Sequence, residues 1–175
     1  MSETREELLA TKRFTVVRHT FVTRDGQTHT RESVQHPGAV AILPIVDERR
    51  ICLIRNWRIA IGQTLWEIPA GTLSPDEEPA ACAARELAEE TGYRAGRLER
   101  LGEFYVSPGI LHERLHLFVA HDLTAGPPAL EPTEEIETSL VTWEQALRLL
   151  DGGEIRDAKT LTALLWYDRQ QRGRT

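Results

Sequence analysis

The nine residues Arg85–Tyr93, RELAEETGY, set three glutamates within five positions. On an α-helix, residues i, i+3 and i+4 share a face. Glu86, Glu89 and Glu90 would therefore point the same way. A charge run is ordinarily a solvated face, and these three residues taken alone are read as one. Their setting argues otherwise. They fall toward the C-terminal half of the predicted helix, where the helix dipole disfavours negative charge. Each exposed Glu–Glu pair costs about 0.2–0.5 kcal/mol, and the local compensation is Arg85, which can pair with Glu89 at i+4. Clustered carboxylate oxygens suit Mg²⁺ or Mn²⁺, which prefer hard oxygen ligands. The stretch has no His or Cys, so its donor set is not that of a zinc site.

Outward from this stretch, the pattern predicts a helix from about Glu78 to Thr91, with Ala81, Ala84, Leu87 and Ala88 on its buried face. Gly92 is the predicted stop. Upstream, AVAILPIV (39–46) and ICLIRNW (51–57) read as buried strands, and TLWEIPAG (64–71) as a third that ends at Gly71. Gly71 is expected to permit a bend. A backbone carbonyl of IPAG could add a ligand to the glutamates. The segment 12–35 reads as two strands joined at Asp25-Gly26. GEFYVSPG (102–109) and RLHLFVAHDL (114–123) are strands around a loop at Pro108-Gly109. The Pro-rich TAGPPALEPTEE (124–135) is expected to be a mobile loop. IETSLVTW is a further strand, WEQALRLLDGG a short helix, and DAKTLTALLWYDRQQ an amphipathic helix with Leu161, Ala163, Leu164 and Tyr167 inward. Strands first, one central helix and terminal helices predict an α+β, mixed-sheet fold.

Composition sets outer limits. The 175 residues suffice for a sizeable single core, and the net charge of −6 makes generic binding to nucleic acid or an anionic membrane unfavourable. An anionic substrate would need locally placed cations. The charged N-terminus lacks the apolar run of a signal peptide, and no apolar stretch is long enough to span a bilayer. Cys52 and Cys82 sit in apolar or helical flanks and read as buried free thiols, which fits a cytoplasmic protein.

Gly71, Glu77, Arg85, Glu86, Leu87, Glu89, Glu90 and Gly92 match every fixed position of the Nudix box, G-x5-E-x7-R-E-U-x-E-E-x-G-U, with Tyr93 at the final apolar position. The chain thus resembles the Nudix hydrolases, and beyond the box it resembles their ADP-ribose pyrophosphatase subfamily. Arg55, Arg58, Glu67, Pro69, Ala70 and Gly71 keep that subfamily's pattern before the box, while Asn56 and Trp57 depart from it. Pro108 stands where the subfamily carries a marker proline. SPGILHERLHLFVA and GGEIRDAKTLTAL are similar to its later segments. The similarity covers about residues 36–165. It implies a mixed sheet sandwiched between helices over 37–175, and an N-terminal β-hairpin arm over 1–36 that forms a homodimer and lines the substrate site.

The resemblance implies hydrolysis of ADP-ribose to AMP and ribose 5-phosphate with two or three Mg²⁺ ions, Mn²⁺ being the other fit. Another nucleoside diphosphate derivative, such as a GDP- or UDP-sugar or FAD, is the alternative substrate. A silent module that senses nucleotide sugars is the alternative of a different class. By the same resemblance, Glu86, Glu89, Glu90 and the carbonyl of Ala70 hold metal, and Arg85 orients the carboxylates. Glu134 is the general base, with Glu131 and Glu135 as the other candidates. Arg58, Glu67, Ser107 and Glu113 contact the substrate, and Phe14 or Phe21 could stack on adenine.

Overall fold

The computed structural model describes residues 3–173 other than 131, 133 and 134. The apolar runs become the central strands β4 (Ala39–Pro44) and β5 (Arg50–Arg58). β4 is buried along its whole length. Successive side chains of a strand face opposite ways, and β4 uses both faces. Val40 and Ile42 pack with Cys82, Ala83 and Leu87 of helix α1 (Pro79–Thr91). Ala41 and Leu43 pack on the other side with Ala146 of α2 (Trp143–Asp151) and Ala163 and Leu164 of α3 (Ala158–Arg172). Helices cover both faces of the mixed sheet, and the molecule is α+β.

The reading TLWEIPAG as one strand is corrected. It divides into β6 (Gln63–Glu67), which pairs with β5, and β7 (Ala70–Thr72), which pairs with β4. Ile68-Pro69 carries the chain from one sheet to the other. The first sheet continues β11 (Ile136–Thr142), β5, β6, and the second runs β7, β4, β10 (Arg114–Ala125), β8 (Tyr93–Tyr105). β4 and β10 are parallel and the other pairs in these two sheets are antiparallel. Against β8, α3 lays Trp166 so close that a Cβ on Gly102 would lie 2.1 Å from its ring.

The hairpin at Asp25-Gly26 forms as expected, joining β2 (Thr15–Val22) to β3 (Thr28–Gln35), with Gly26 at φ 81°. A strand precedes it that the sequence pattern did not indicate: β1 (Glu3–Ala10) pairs antiparallel with β2. All eight of its residues are exposed. β3 meets the short β9 (Leu111–His112) through two register pairs, Val34 with Leu111 and Gln35 with His112, which tie this N-terminal sheet to the loop after β8. No helix among the described residues is long and apolar enough to cross a membrane. Cys52 and Cys82 are buried free thiols, and burial pushes them up to about 11 and about 12 respectively.

Candidate active site

Helix α1 starts with Pro79 in its first turn, where the missing N–H costs no helical bond. It ends at Gly92, whose φ of 76° is the left-handed conformation of a C-cap. Of the face the spacing predicted, Leu87 is fully buried and Ala88 half-buried, and the other two alanines turn outward. Ala81 and Ala84 are exposed, and Cys82, Ala83, Glu86, Leu87, Glu90 and Thr91 are buried. Alanine gains little from burial, so Leu87 and the apolar side of β4 set the rotation. That rotation turns Glu86 and Glu90 inward, at 8% and 4% exposure. They are not a solvated acidic face.

A buried carboxylate needs hydrogen bonds or cations. Glu90 accepts from the Ala70 backbone N–H at 3.0 Å. Arg85 serves three others at once. It donates to Glu77 through Nε (2.9 Å) and Nη2 (3.0 Å), and through Nη1 to Glu86 (2.7 Å) and Glu89 (2.9 Å). The expected Arg85–Glu89 pair is therefore one edge of a larger network. Hydrogen bonding to Glu77 is the main cause that raises the Arg85 pKa, and the same bond holds Glu77 down at about 2. Glu77 also accepts from the Ser74 N–H at 2.9 Å, which fixes the turn before the helix.

This shift gives an expected pH dependence. A carboxylate held below its ordinary value near 4.5 stabilises the fold above that value. Its contribution fades as pH falls from about 4.5 toward 2. Glu77→Gln should lower the melting temperature at neutral pH and flatten the acid decline across that window. Melting curves at stepped pH that fall equally steeply in both proteins would show that Glu77 does not carry this effect.

The approach of β7 to α1 is closer than side chains allow. A Cβ built on Gly71 would lie 1.9 Å from Glu86 Cδ and 2.0 and 2.4 Å from its two oxygens. The expected role of Gly71 as a bend is thus replaced. Gly71 lies in β7 without a positive φ, and what it supplies is room for the Glu86 carboxylate.

The donor set fits a hard divalent cation. At this helix end Glu90 lies on the Ala70 backbone and Glu86 and Glu89 on Arg85 Nη1, and one guanidinium stands against four carboxylates once Glu77 is counted, an excess of three negative charges if all are ionised. Among the described residues no three acidic, His or Cys side chains are arranged as a ready cage. Glu86 and Glu89 instead turn onto Arg85 Nη1.

Arg58 and Glu67 are brought together on β5 and β6. Arg58 Nε donates to Glu67 Oε1 (2.7 Å) and Nη2 to Oε2 (2.5 Å), a bidentate fork. Glu67 is fully buried, and its pairing is the largest cause that raises the Arg58 pKa. A residue given no role by the sequence reading completes this pair: Lys159 Nζ donates to Glu67 Oε2 at 2.5 Å and to Asp157 Oδ1 at 2.9 Å. Asp157 caps α3 through Thr160 N–H (3.0 Å) and accepts from the Thr160 hydroxyl (2.6 Å), while that hydroxyl oxygen accepts from Ile68 N–H (2.9 Å). The run DAKT at a helix start was the available signal.

Ser107 and Glu113 lie in the turn around β9. The Ser107 carbonyl accepts from Ile110 and Leu111 N–H at 3.1 and 2.9 Å. Glu113 is part-buried with His36 Nδ1 3.7 Å from its Oε1. Trp57 and Phe14 are partly exposed, at 44% and 38%. Phe14 lines a cavity of about 360 Å³ with Lys12, Arg13 and His36, and a second of about 450 Å³ lies between His19, Ser33 and the Tyr105–His112 loop. Both border the N-terminal sheet rather than the glutamate cluster. Glu131 and Glu134 lie outside the described residues, and Glu135 is exposed beside β5, its carbonyl accepting from Trp57 N–H at 3.3 Å. Before them in the chain, Ala129 N–H donates to the Glu89 carbonyl of the acidic helix at 2.8 Å.

The model of the NUDIX domain matches residues 35–164. An ADP-ribose pyrophosphatase of Bacillus subtilis (strain 168) is 41% identical over 149 residues, covering 84% of this chain and 80% of the relative. A GDP-mannose pyrophosphatase of Escherichia coli O139:H28 is 33% identical over 175 residues, covering 91% of each. A crystal structure of an ADP compounds hydrolase superposes with a TM-score of 0.85 over 98% of this chain and 93% of that one, at 23% identity, which speaks for the fold alone. With the box residues gathered at one helix end and this match running through them, the chain belongs to the Nudix hydrolase family.

Proposed function

We propose that this protein hydrolyses the pyrophosphate of ADP-ribose to give AMP and ribose 5-phosphate. The observation that carries the reading is the acidic helix end against the Ala70 backbone, with the Arg58 guanidinium of β5 near enough that the Glu90 charge helps to raise its pKa. A relative 41% identical is an ADP-ribose pyrophosphatase, which favours ADP-ribose. The GDP-mannose pyrophosphatase relative keeps a GDP-sugar as the second reading.

Glu86, Glu89, Glu90 and the Ala70 carbonyl would hold two or three divalent cations, Mg²⁺ or Mn²⁺. Bound there, such ions neutralise a diphosphate and lower the pKa of water. The chain's own groups do the rest. Arg85 neutralises and orients the carboxylates from behind, and Glu77 fixes Arg85 in turn. Arg58 presents its guanidinium to the diphosphate, with Glu67 holding its orientation. Ser107 and Glu113 are assigned to the hydroxyls of the terminal ribose. Glu134 is assigned as the base that takes a proton from water, a role typically worth about 10²–10⁴-fold in rate.

The exposed β1 and the apolar Leu8, Leu9 and Phe14 on or beside it support the N-terminal strands as a dimer arm, which the mass of the protein in solution tests. The two unpaired buried thiols support a cytoplasmic location.

Incubation with ADP-ribose and Mg²⁺, with chromatography of the products, tests the reading. AMP and ribose 5-phosphate are expected, at a higher kcat/KM than products from GDP-mannose, UDP-glucose, FAD or NADH. Mg²⁺ should also raise the melting temperature, because a ligand that binds only the folded state stabilises it. No cleavage of any of these compounds, with no Mg²⁺ effect on melting, would leave the acidic helix without a metal role.

A further inference from the structure

We propose that Lys159, at the start of the C-terminal helix, is a positioning residue for the diphosphate of the substrate, acting through Glu67 on Arg58. The inference rests on the pyrophosphatase reading above and assigns that site a residue from 92 positions away in the chain from its carboxylate partner.

The geometry is that of a shared counter-ion. Glu67 has no exposed surface, so its charge must be met by the protein. Oε1 receives Arg58 Nε, and Oε2 receives both Arg58 Nη2 and Lys159 Nζ. Arg58 engages Glu67 through one edge of its planar fork, which leaves the Nη1 end outside the pair. The exposures divide the labour. The Lys159 side chain is 11% exposed, and that of Arg58 is 42% exposed. Lys159 is the inner cation, committed to Glu67 and Asp157, and Arg58 is the outer one.

The charges balance as a quartet. Glu67 and Asp157 carry two negative charges, and Arg58 and Lys159 two positive ones. With Lys159 in place, Glu67 keeps a counter-ion while Arg58 turns part of its fork to a phosphate oxygen. Without Lys159, Arg58 becomes the lone cation for two carboxylates. It is drawn more firmly onto Glu67, and the potential beside Arg58 becomes more negative by one charge, which opposes a diphosphate. The same helix start reaches further. Thr160 holds the Ile68 N–H, and two residues on, Glu90 holds the Ala70 N–H. The crossing Glu67–Ala70 is therefore pinned from one side by the C-terminal helix and from the other by the acidic helix.

The test compares Lys159→Met, Lys159→Gln and the wild type. Steady-state kinetics on ADP-ribose are read beside equilibrium binding of its non-hydrolysable α,β-methylene analogue. Loss of the lysine charge should raise KM and the analogue's Kd by about tenfold or more, with kcat within about threefold. Gln keeps a donor toward Glu67 but no charge, so it should match Met in KM even if Met melts too low to assay. A purely structural lysine would lower the active fraction instead: kcat and melting temperature would fall while KM and Kd stayed at the wild-type values. That outcome in either variant overturns the assignment. A wild type that cleaves no nucleoside diphosphate derivative overturns the activity on which it rests, and is seen before any variant is made.

Discussion

Glu90→Gln should lower kcat by on the order of 10³-fold while leaving the fold intact. Glu90 is 4% exposed and accepts from Ala70 N–H at 3.0 Å. Glutamine has the same shape, and its carbonyl oxygen can accept that bond. What the substitution removes is one negative charge from a cluster in which four carboxylates share Arg85 and backbone donors. The melting temperature without added cation should hold or rise, since buried like charges repel. The Mg²⁺-induced rise in melting temperature should shrink in the same variant. Two readouts thus move in opposite senses, which a general loss of packing would not produce. Wild-type turnover by Glu90→Gln would remove Glu90 from the metal role.

The parts of this molecule that were legible in the sequence are those whose signal is local. Helix α1 was marked by box spacing, Pro79 and Gly92, and β4 and β5 by apolar runs. Strand β1 was not legible. Its sequence ETREELLA is charged and fully exposed, with no period-2 alternation, and it is a strand because β2 offers it an edge. The face of α1 was misjudged at Ala81 and Ala84 because alanine marks helix rather than burial. The break of TLWEIPAG into two sheets at Ile68-Pro69 is a topological fact that an apolar run does not encode.

The site divides in the same way. Glu86, Glu89 and Glu90 lie within one helical turn and a half, so their place at one helix end followed from spacing. Arg85 as the hub of three carboxylates was half visible, through the i+4 pair to Glu89. The bonds to Glu77 and the close contact of Gly71 with Glu86 depend on how β7 and the following turn lie on the helix. The Glu67–Lys159 pair spans most of the domain in sequence, and only packing of α3 beside β6 brings it together. A buried ion pair of this kind, with one partner removed, costs about 3–5 kcal/mol. Glu67 therefore carries stability as well as its assigned part in the site.

Gly71→Ala should reduce kcat by about 10²-fold or more, through Glu86 rather than through the strand. The added Cβ would fall 1.9–2.4 Å from all three atoms of the Glu86 carboxyl group, well inside contact distance. β7 is held to β4 by the register Val40 with Gly71, with its neighbours on either side, so the backbone is the stiffer partner. The carboxylate is the end of a flexible side chain and gives way first. It must leave its bond to Arg85 Nη1 and its place beside Glu90. The stability cost should stay within about 1–3 kcal/mol, the ordinary range for overpacking, so the protein remains folded at assay temperature. A double-mutant cycle with Glu86→Gln decides the route. If the methyl group acts by displacing Glu86, the double variant should be no slower than the slower single one, because both remove the same carboxylate. Effects that multiply in full would place the damage of Gly71→Ala elsewhere, in the strand or the Ala70 backbone, and near-wild-type turnover would mean that Glu86 works from more than one position.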